Sequence, residues 1–185
     1  MSNIAIKGAA TGSGTFTLEA PATSTNRTLT LPDEAGTMAL QGGAGVGKVL
    51  QVANFQTGAV ATGTAAFPSD DSIPQITEGT EFMTLAFTPT SATSTLVIEV
   101  NFYGSLAAAQ FLGVGLFVDT TANALAAASG SLGLSNYHTT VSFIHTLSSA
   151  STTARTYRVR AGSNAGGTTT TINGSNSSRT FGGGA

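Results

Sequence analysis

The chain has 185 residues, a formal net charge of −2 and no cysteine. Hydrophobic residues make up 41%, enough to build a core, but charged residues are only 9%, against about 25% in ordinary soluble domains. These values exclude disulfides and thiol chemistry. They also exclude a phosphate-binding basic surface, because Lys and Arg number only seven, and two histidines make a multi-imidazole metal site hard to build within one chain.

No stretch reaches the roughly 18 unbroken apolar residues of a membrane span. The opening Met-Ser-Asn-Ile-Ala-Ile-Lys lacks the apolar run of a signal peptide. Gly accounts for 23 residues, and Ser with Thr for roughly a quarter of the chain, well above average usage. Thr favours strands, whereas Gly and Ser favour turns. So few charges do little to keep copies of a protein apart. Much of the surface is therefore expected to be buried in an oligomer or a larger particle.

Residues 1–45 contain short bursts of period-two alternation: 4–7, 15–19 (TFTLE), 28–31 (TLTL) and 37–40 (TMAL). Phe16 and Leu18 share one face, Leu29 and Leu31 another. Each burst buries two or three side chains, too few to stand alone. This segment needs copies of itself or a partner to pack against. Residues 42–47 (GGAGVG) form a flexible joint, and a domain boundary falls there: an extended β segment over 1–45, a head domain over 46–185.

In the head, 48–55 (KVLQVANF) reads as a strand. Residues 57–78 hold Pro68 and Pro74 and read as a long loop with one short strand. Strands follow at 81–88 and 95–103, the latter with Leu96, Ile98, Val100 and Phe102 on one face. Residues 110–119 (QFLGVGLFVD) are apolar on both faces, and Gly113 and Gly115 permit a bend or a close approach. One or two strands lie in 132–147, and others at 155–161 and 168–173. Helical turns fit only at 106–109 and 123–128. The fold class is all-β, a β-sandwich or jelly roll.

Several motifs fail on inspection. Residues 42–48 match G-x-x-x-x-G-K, but Val49 stands where a magnesium-binding Ser or Thr is needed, and a strand pattern follows instead of a helix. His138 and His145 are seven apart, which puts them on opposite faces of a strand. Asp70, Asp71, Glu78 and Glu81 lack calcium-loop spacing. No Ser lies in a G-x-S-x-G elbow, and no carboxylate pair suggests a depolymerase. Arg155, Arg158 and Arg160 suggest ion pairs, with Glu99 or a neighbouring subunit as partner. The Asn-x-Ser/Thr triplets are expected by chance in so Ser/Thr-rich a chain. The expectation is a non-enzyme with no catalytic residues, no metal and no cofactor.

Ordered motifs add a resemblance. Residues 15–21 (TFTLEAP), 28–32 (TLTLP) and 36–40 (GTMAL) resemble a short module of tailed-phage fibre and appendage proteins, roughly T-x-T-L-x-A-P, T-L-T-L-P and G-T-x-A-L. GKVLQV (47–52) and FTPTSATSTLVIEV (87–100) resemble the pattern that follows it, and 154–174 resembles its closing strands. Each motif is loose, but order and spacing extend over nearly the whole chain.

The resemblance implies a structural virion protein: a homotrimer with an N-terminal attachment or shaft segment and a C-terminal trimeric β-sandwich head. Long fibre shafts are absent from the pattern here. A final family strand is missing, supplied by 179–181, or dispensable. The leading expectation is a head decoration protein on the capsid exterior, made in the bacterial cytoplasm. Its attachment to the major capsid protein would run through Phe16, Leu18, Leu29 and Leu31. The alternative is a short tail fibre or tail-tip adhesin whose head binds a host-surface receptor such as a glycan. Neither nucleic acid nor membrane insertion is expected.

Overall fold

The computed structural model describes residues 49–183 and, before them, residues 11, 13, 14, 17, 22, 24–26 and 28. The chain divides into two units, Met1–Val46 and Gly47–Ala185. All described strands lie in the second. The bursts expected before residue 45 fall outside the described residues apart from Thr17 and Thr28.

The second unit is all-β. Its strands are β1 (Ala61–Gly63), β2 (Thr80–Phe87), β3 (Thr95–Leu106), β4 (Phe111–Val118), β5 (Ala126–Ser131), β6 (His138–Ser148), β7 (Arg155–Ser163) and β8 (Thr170–Ile172). A small hairpin, β9 (Gly174–Ser175) and β10 (Ser178–Arg179), and a single turn at Phe181–Gly183 follow. One sheet has the order β1-β8-β3-β6, the other β2-β7-β4-β5, with every pairing antiparallel.

Alternation along β3 turns Leu96, Ile98, Val100 and Phe102 inward, as their spacing predicts. They meet Leu112, Val114, Leu116 and Val118 of β4 and Tyr157, Val159 and Ala161 of β7 in one shared core. Phe82 of β2 meets Phe102 edge-on across the two sheets, with centroids 5.4 Å apart. Such a pair contributes about 0.5–1.5 kcal/mol beyond the area it buries.

β4 is buried on both faces except at Phe111. Its core face carries the four aliphatic residues. Its other face, Gly113, Gly115 and Phe117, lies beneath the chain that leaves β1. Phe67, 3% exposed, occupies a trough floored by Gly113, Gly115, Gly162 and Gly79. A Cβ on Gly115 would lie 2.7 Å from the tip of the Phe67 ring, and one on Gly162 would lie 3.1 Å from the Phe67 Cβ. The close approach that Gly113 and Gly115 predict is therefore made by Phe67. Backbone bonds fix the strap: Phe67 N donates to Ser163 O (2.7 Å) and Gly79 N to Ala66 O (2.6 Å).

Three local expectations change. Residues 49–55 form no ladder and stay exposed. Their apolar residues have no partner strand among the described residues, and apolar composition alone cannot supply the second strand. Residues 123–128 contain no helical turn; they run into β5, which pairs with β4 from Leu116↔Ala126 to Phe111↔Ser131. Ala-rich sequence favours a helix in isolation, but here it completes a sheet edge. Residues 106–109 end β3 and bend, again without a helical turn.

Phe67→Ala should lower unfolding stability by about 3–5 kcal/mol, since the trough cannot collapse around a missing ring. Gly113→Val should destabilise for the opposite reason, by overpacking, at about 1–3 kcal/mol. Urea unfolding of both variants checks this. If Phe67→Ala unfolds at the wild-type midpoint, the strap contributes nothing to stability.

Candidate functional site

Phe16, Leu18, Leu29 and Leu31 lie outside the described residues. The other sequence candidates fall in three separate places.

On the outer face of the β2-β7-β4-β5 sheet, Arg158 and Arg160 project from β7 next to the bulge between Glu81 and Met83 of β2. Glu81 lies opposite Arg160 in the ladder, and its one carboxylate serves both arginines. Arg158 Nη1 donates to Glu81 Oε1 (2.9 Å) and Oε2 (3.0 Å), and Arg160 Nη1 lies 3.5 Å from Oε2. Arg160 also caps the carbonyls of Glu78 (2.8 Å) and Gly79 (2.7 Å). Arg155 Nε donates to Asp119 Oδ2 (2.9 Å) at the end of the sheet. The partners are thus Glu81 and Asp119, which corrects the pairing with Glu99. Glu99 instead accepts from Asn101 on its own strand (2.8 Å). Partly exposed pairs of this kind contribute about 0–1 kcal/mol each, so they fix register more than they stabilise.

The acidic residues are dispersed. Asp70 closes a turn with Ser72, whose hydroxyl (2.5 Å) and amide (2.9 Å) donate to it and hold its carboxyl below the usual range. Glu78 accepts from Gln75 N (2.9 Å). Among the described residues no group of three or more His, Asp or Glu is placed to hold a metal ion. From Val49 to Phe55 there is no helix to receive a phosphate.

The histidines take opposite faces of β6, as their spacing predicts. His145 shares the inward parity of Val141 and Phe143, whereas His138 is exposed on the outer face. His138 leads to the third place, at the end of the β1-β8-β3-β6 sheet. Its ring stacks on Tyr103, with centroids 5.1 Å apart and planes 3° from parallel. Its Nε2 is 3.1 Å from Thr180 Oγ1.

The carboxyl-terminal hairpin makes this arrangement. After β8, Asn173 takes φ 55°, and the chain folds back over the outer face of β3. There Gly174 O accepts from the buried Ser105 hydroxyl (2.9 Å). Ser175 Oγ donates to Asn136 O (2.6 Å), which ties the hairpin to the loop before β6. Asn173 Nδ2 reaches the carbonyls of Thr57 (2.7 Å) and Ala59 (3.0 Å), which anchors the incoming chain.

Around this knot stand Tyr137 (62% exposed), Phe181 (78% exposed) and Leu134 (57% exposed). Asn136, Asn173, Asn176, Ser177 and Phe181 all have positive φ. For Phe181, at φ 52°, that conformation costs about 1–3 kcal/mol. Sequence reading missed Tyr137, Arg179 and Phe181 as surface residues of one place. The density of Asn near residues 136 and 173–176 is the only local signal, since Asn tolerates left-handed backbone.

No protein-family model and no curated protein matches the chain. Among solved structures it is similar to the EclA C-terminal domain, a sugar-binding protein, at a TM-score of 0.32 and 13% identity, covering 66% of this chain and 79% of that one. A likeness that weak bears on neither the fold nor the activity of this chain.

The charge network carries a pH prediction. Asp119 accepts from Thr156 N (2.8 Å), the main cause that holds its carboxyl below the usual range; Arg155 adds to the effect and partial burial opposes it. A depressed folded-state pKa gives stability above the unfolded value that is lost as pH falls through the folded one. Asp119→Asn should therefore flatten the loss of stability as pH falls below the ordinary aspartate range, about 4. Urea midpoints measured across that range check it; parallel wild-type and variant curves would remove Asp119 from the acid response.

Proposed function

We propose that this chain is a structural virion protein of a tailed phage, a homotrimeric decoration spike on the capsid exterior. Residues 1–45 attach it to the major capsid protein through Phe16, Leu18, Leu29 and Leu31, and the rest forms a jelly-roll head. The jelly-roll reading is supported by strand order: β1 pairs with β8, β2 with β7, β3 with β6 and β4 with β5. These are the partners produced when one long antiparallel hairpin is wound into two sheets.

The observation that carries the oligomer is the stretch that enters the head. Val49, Leu50, Val52 and Phe55 are 75%, 48%, 81% and 44% exposed. Apolar side chains this exposed and without a strand partner among the described residues are costly in water, and the convergence of three copies would bury them. Val97 and Ile144, 67% and 65% exposed on the outer face of β3 and β6, add to the uncovered apolar surface. A non-catalytic role fits the occupied side chains: Glu81 and Asp119 are in ion pairs, and His138 is stacked on Tyr103.

The second reading, a short tail fibre or tail-tip adhesin, is favoured by the exposed aromatic residues at the hairpin end of the head.

Purified protein added to phage heads that lack it should bind stoichiometrically, and removal of residues 1–45 should abolish uptake. Leu29→Asp with Leu31→Asp should reduce occupancy to background while light scattering still reports a trimer. Normal occupancy of the double variant would refute the attachment assignment. Saturable binding to host cells with none to heads would replace decoration with adhesion.

A further inference from the structure

The hairpin end of the head carries a combination found nowhere else among the described residues. The side chains of Arg155, Arg158 and Arg160 each contact a carboxylate. Arg179, exposed on β10, has no carboxylate partner among the described residues. It directly precedes Thr180, which meets His138, and Phe181, which is the most exposed large aromatic residue described. Tyr137 adjoins His138 in sequence and is itself exposed. Of the three tyrosines in the chain, Tyr103 and Tyr137 are both here, while Tyr157 is in the core. In a chain poor in charge and aromatic rings, a cation without a carboxylate partner among the described residues and several rings stand at one end, on a backbone with several left-handed residues, of which Phe181 is the costly one.

We propose that this end is a binding site for an acidic saccharide, a uronate-bearing oligosaccharide. The chemistry is complementary in three respects. The CH faces of a pyranose ring stack on flat side chains, here Tyr137 and Phe181. The uronate carboxylate accepts the fork of Arg179, an anion for the one described arginine left without one. The sugar hydroxyls meet neutral donors and acceptors, which this surface supplies in place of charges: Thr180, Asn176 and Ser177.

Other occupants fit less well. A nucleic acid would need a wider basic surface than one arginine provides. A protein partner held by apolar burial would need a larger contiguous apolar patch than these separated rings. The strain at Phe181 has a use in this site, because it holds the ring out in water, ready for a sugar face. This site is independent of capsid attachment: a spike can carry it, and so can an adhesin.

The test is titration of the full-length protein, by calorimetry and by NMR, with short oligomers of galacturonate, glucuronate and mannuronate, and with maltotriose as the neutral control. At least one uronate oligomer should bind saturably, at least tenfold tighter than maltotriose. Arg179→Gln should weaken that binding about tenfold, as loss of a charge-assisted bond does. Phe181→Ala and Tyr137→Ala should weaken acidic and neutral sugars alike, because stacking is blind to charge. All three positions are exposed, so thermal midpoints should be unchanged, which separates a binding loss from misfolding. Absence of saturation with every uronate overturns the site. So does equal affinity for maltotriose, or an Arg179→Gln variant that binds as wild type does. Resonances of Tyr137 and Phe181 that shift with protein concentration alone would make this end a contact between copies, and would also overturn it.

Discussion

Phe67 is seated on bare backbone. Its ring lies where Gly113, Gly115, Gly162 and Gly79 leave room, on the side of β4 and β7 that faces away from the core. A sheet packed on one face only would leave those glycines wet and the chain from β1 loose. With Phe67 in place, β4 is covered on both sides, and the strap between β1 and β2 lies across the second sheet. Because β1 pairs with β8 in the first sheet and β2 with β7 in the second, this strap links the two sheets at their start. The Phe82–Phe102 contact links them again through the core.

The rest of the surface follows from having so few charges. The described ion pairs all hold β7 in place, against β2 and against the turn after β4. Elsewhere the outer faces rely on Ser, Thr and Asn, which satisfy one another, as in the bond from Ser142 to Asn101 (2.5 Å). Such a surface repels little and is readily buried. That is why the proposed oligomer rests on the exposed apolar side chains at 49–55, and why one unpaired arginine at the hairpin end stands out. On a surface dense in charge, neither would signify much.

The end of the head where Tyr103 and His138 stack shows how a site can form from elements far apart in sequence. β3 supplies Tyr103, the start of β6 supplies His138, and the tail supplies Arg179, Thr180 and Phe181. Asn173 does two things there: its backbone turns the tail back over β3, and its side chain holds the carbonyls of Thr57 and Ala59. One residue thus couples the incoming chain to the outgoing one. A change at Asn173 would disturb both ends of the domain together.

The strands were legible wherever a pattern had a partner to satisfy it. β2, β3, β4 and β7 stand within a few residues of the expected spans, because two-residue alternation is local and survives any topology. The inward row on β3 and the close approach at Gly113 and Gly115 were equally readable, since both follow from side-chain parity and the absence of a Cβ. What failed was whatever depended on a neighbour. Residues 49–55 are rich in apolar residues like a strand yet pair with nothing described, and residues 123–128 could take a helical turn yet run into β5 at a sheet edge. The partners of Arg155, Arg158 and Arg160 were misjudged because they depend on strand pairing: Glu81 lies opposite Arg160 on β2, and Asp119 stands in the turn after β4. The acidic-sugar site was illegible for the same reason: 42 residues separate the atoms that meet at His138 and Thr180, and only the wound strand order brings them within 3.1 Å. The sequence by itself determined the all-β class, the facing of each long strand and the scarcity of charge. The tertiary structure decided which strands pair, what fills the glycine trough and which side chains share an end, because those depend on contacts between residues that no local pattern relates.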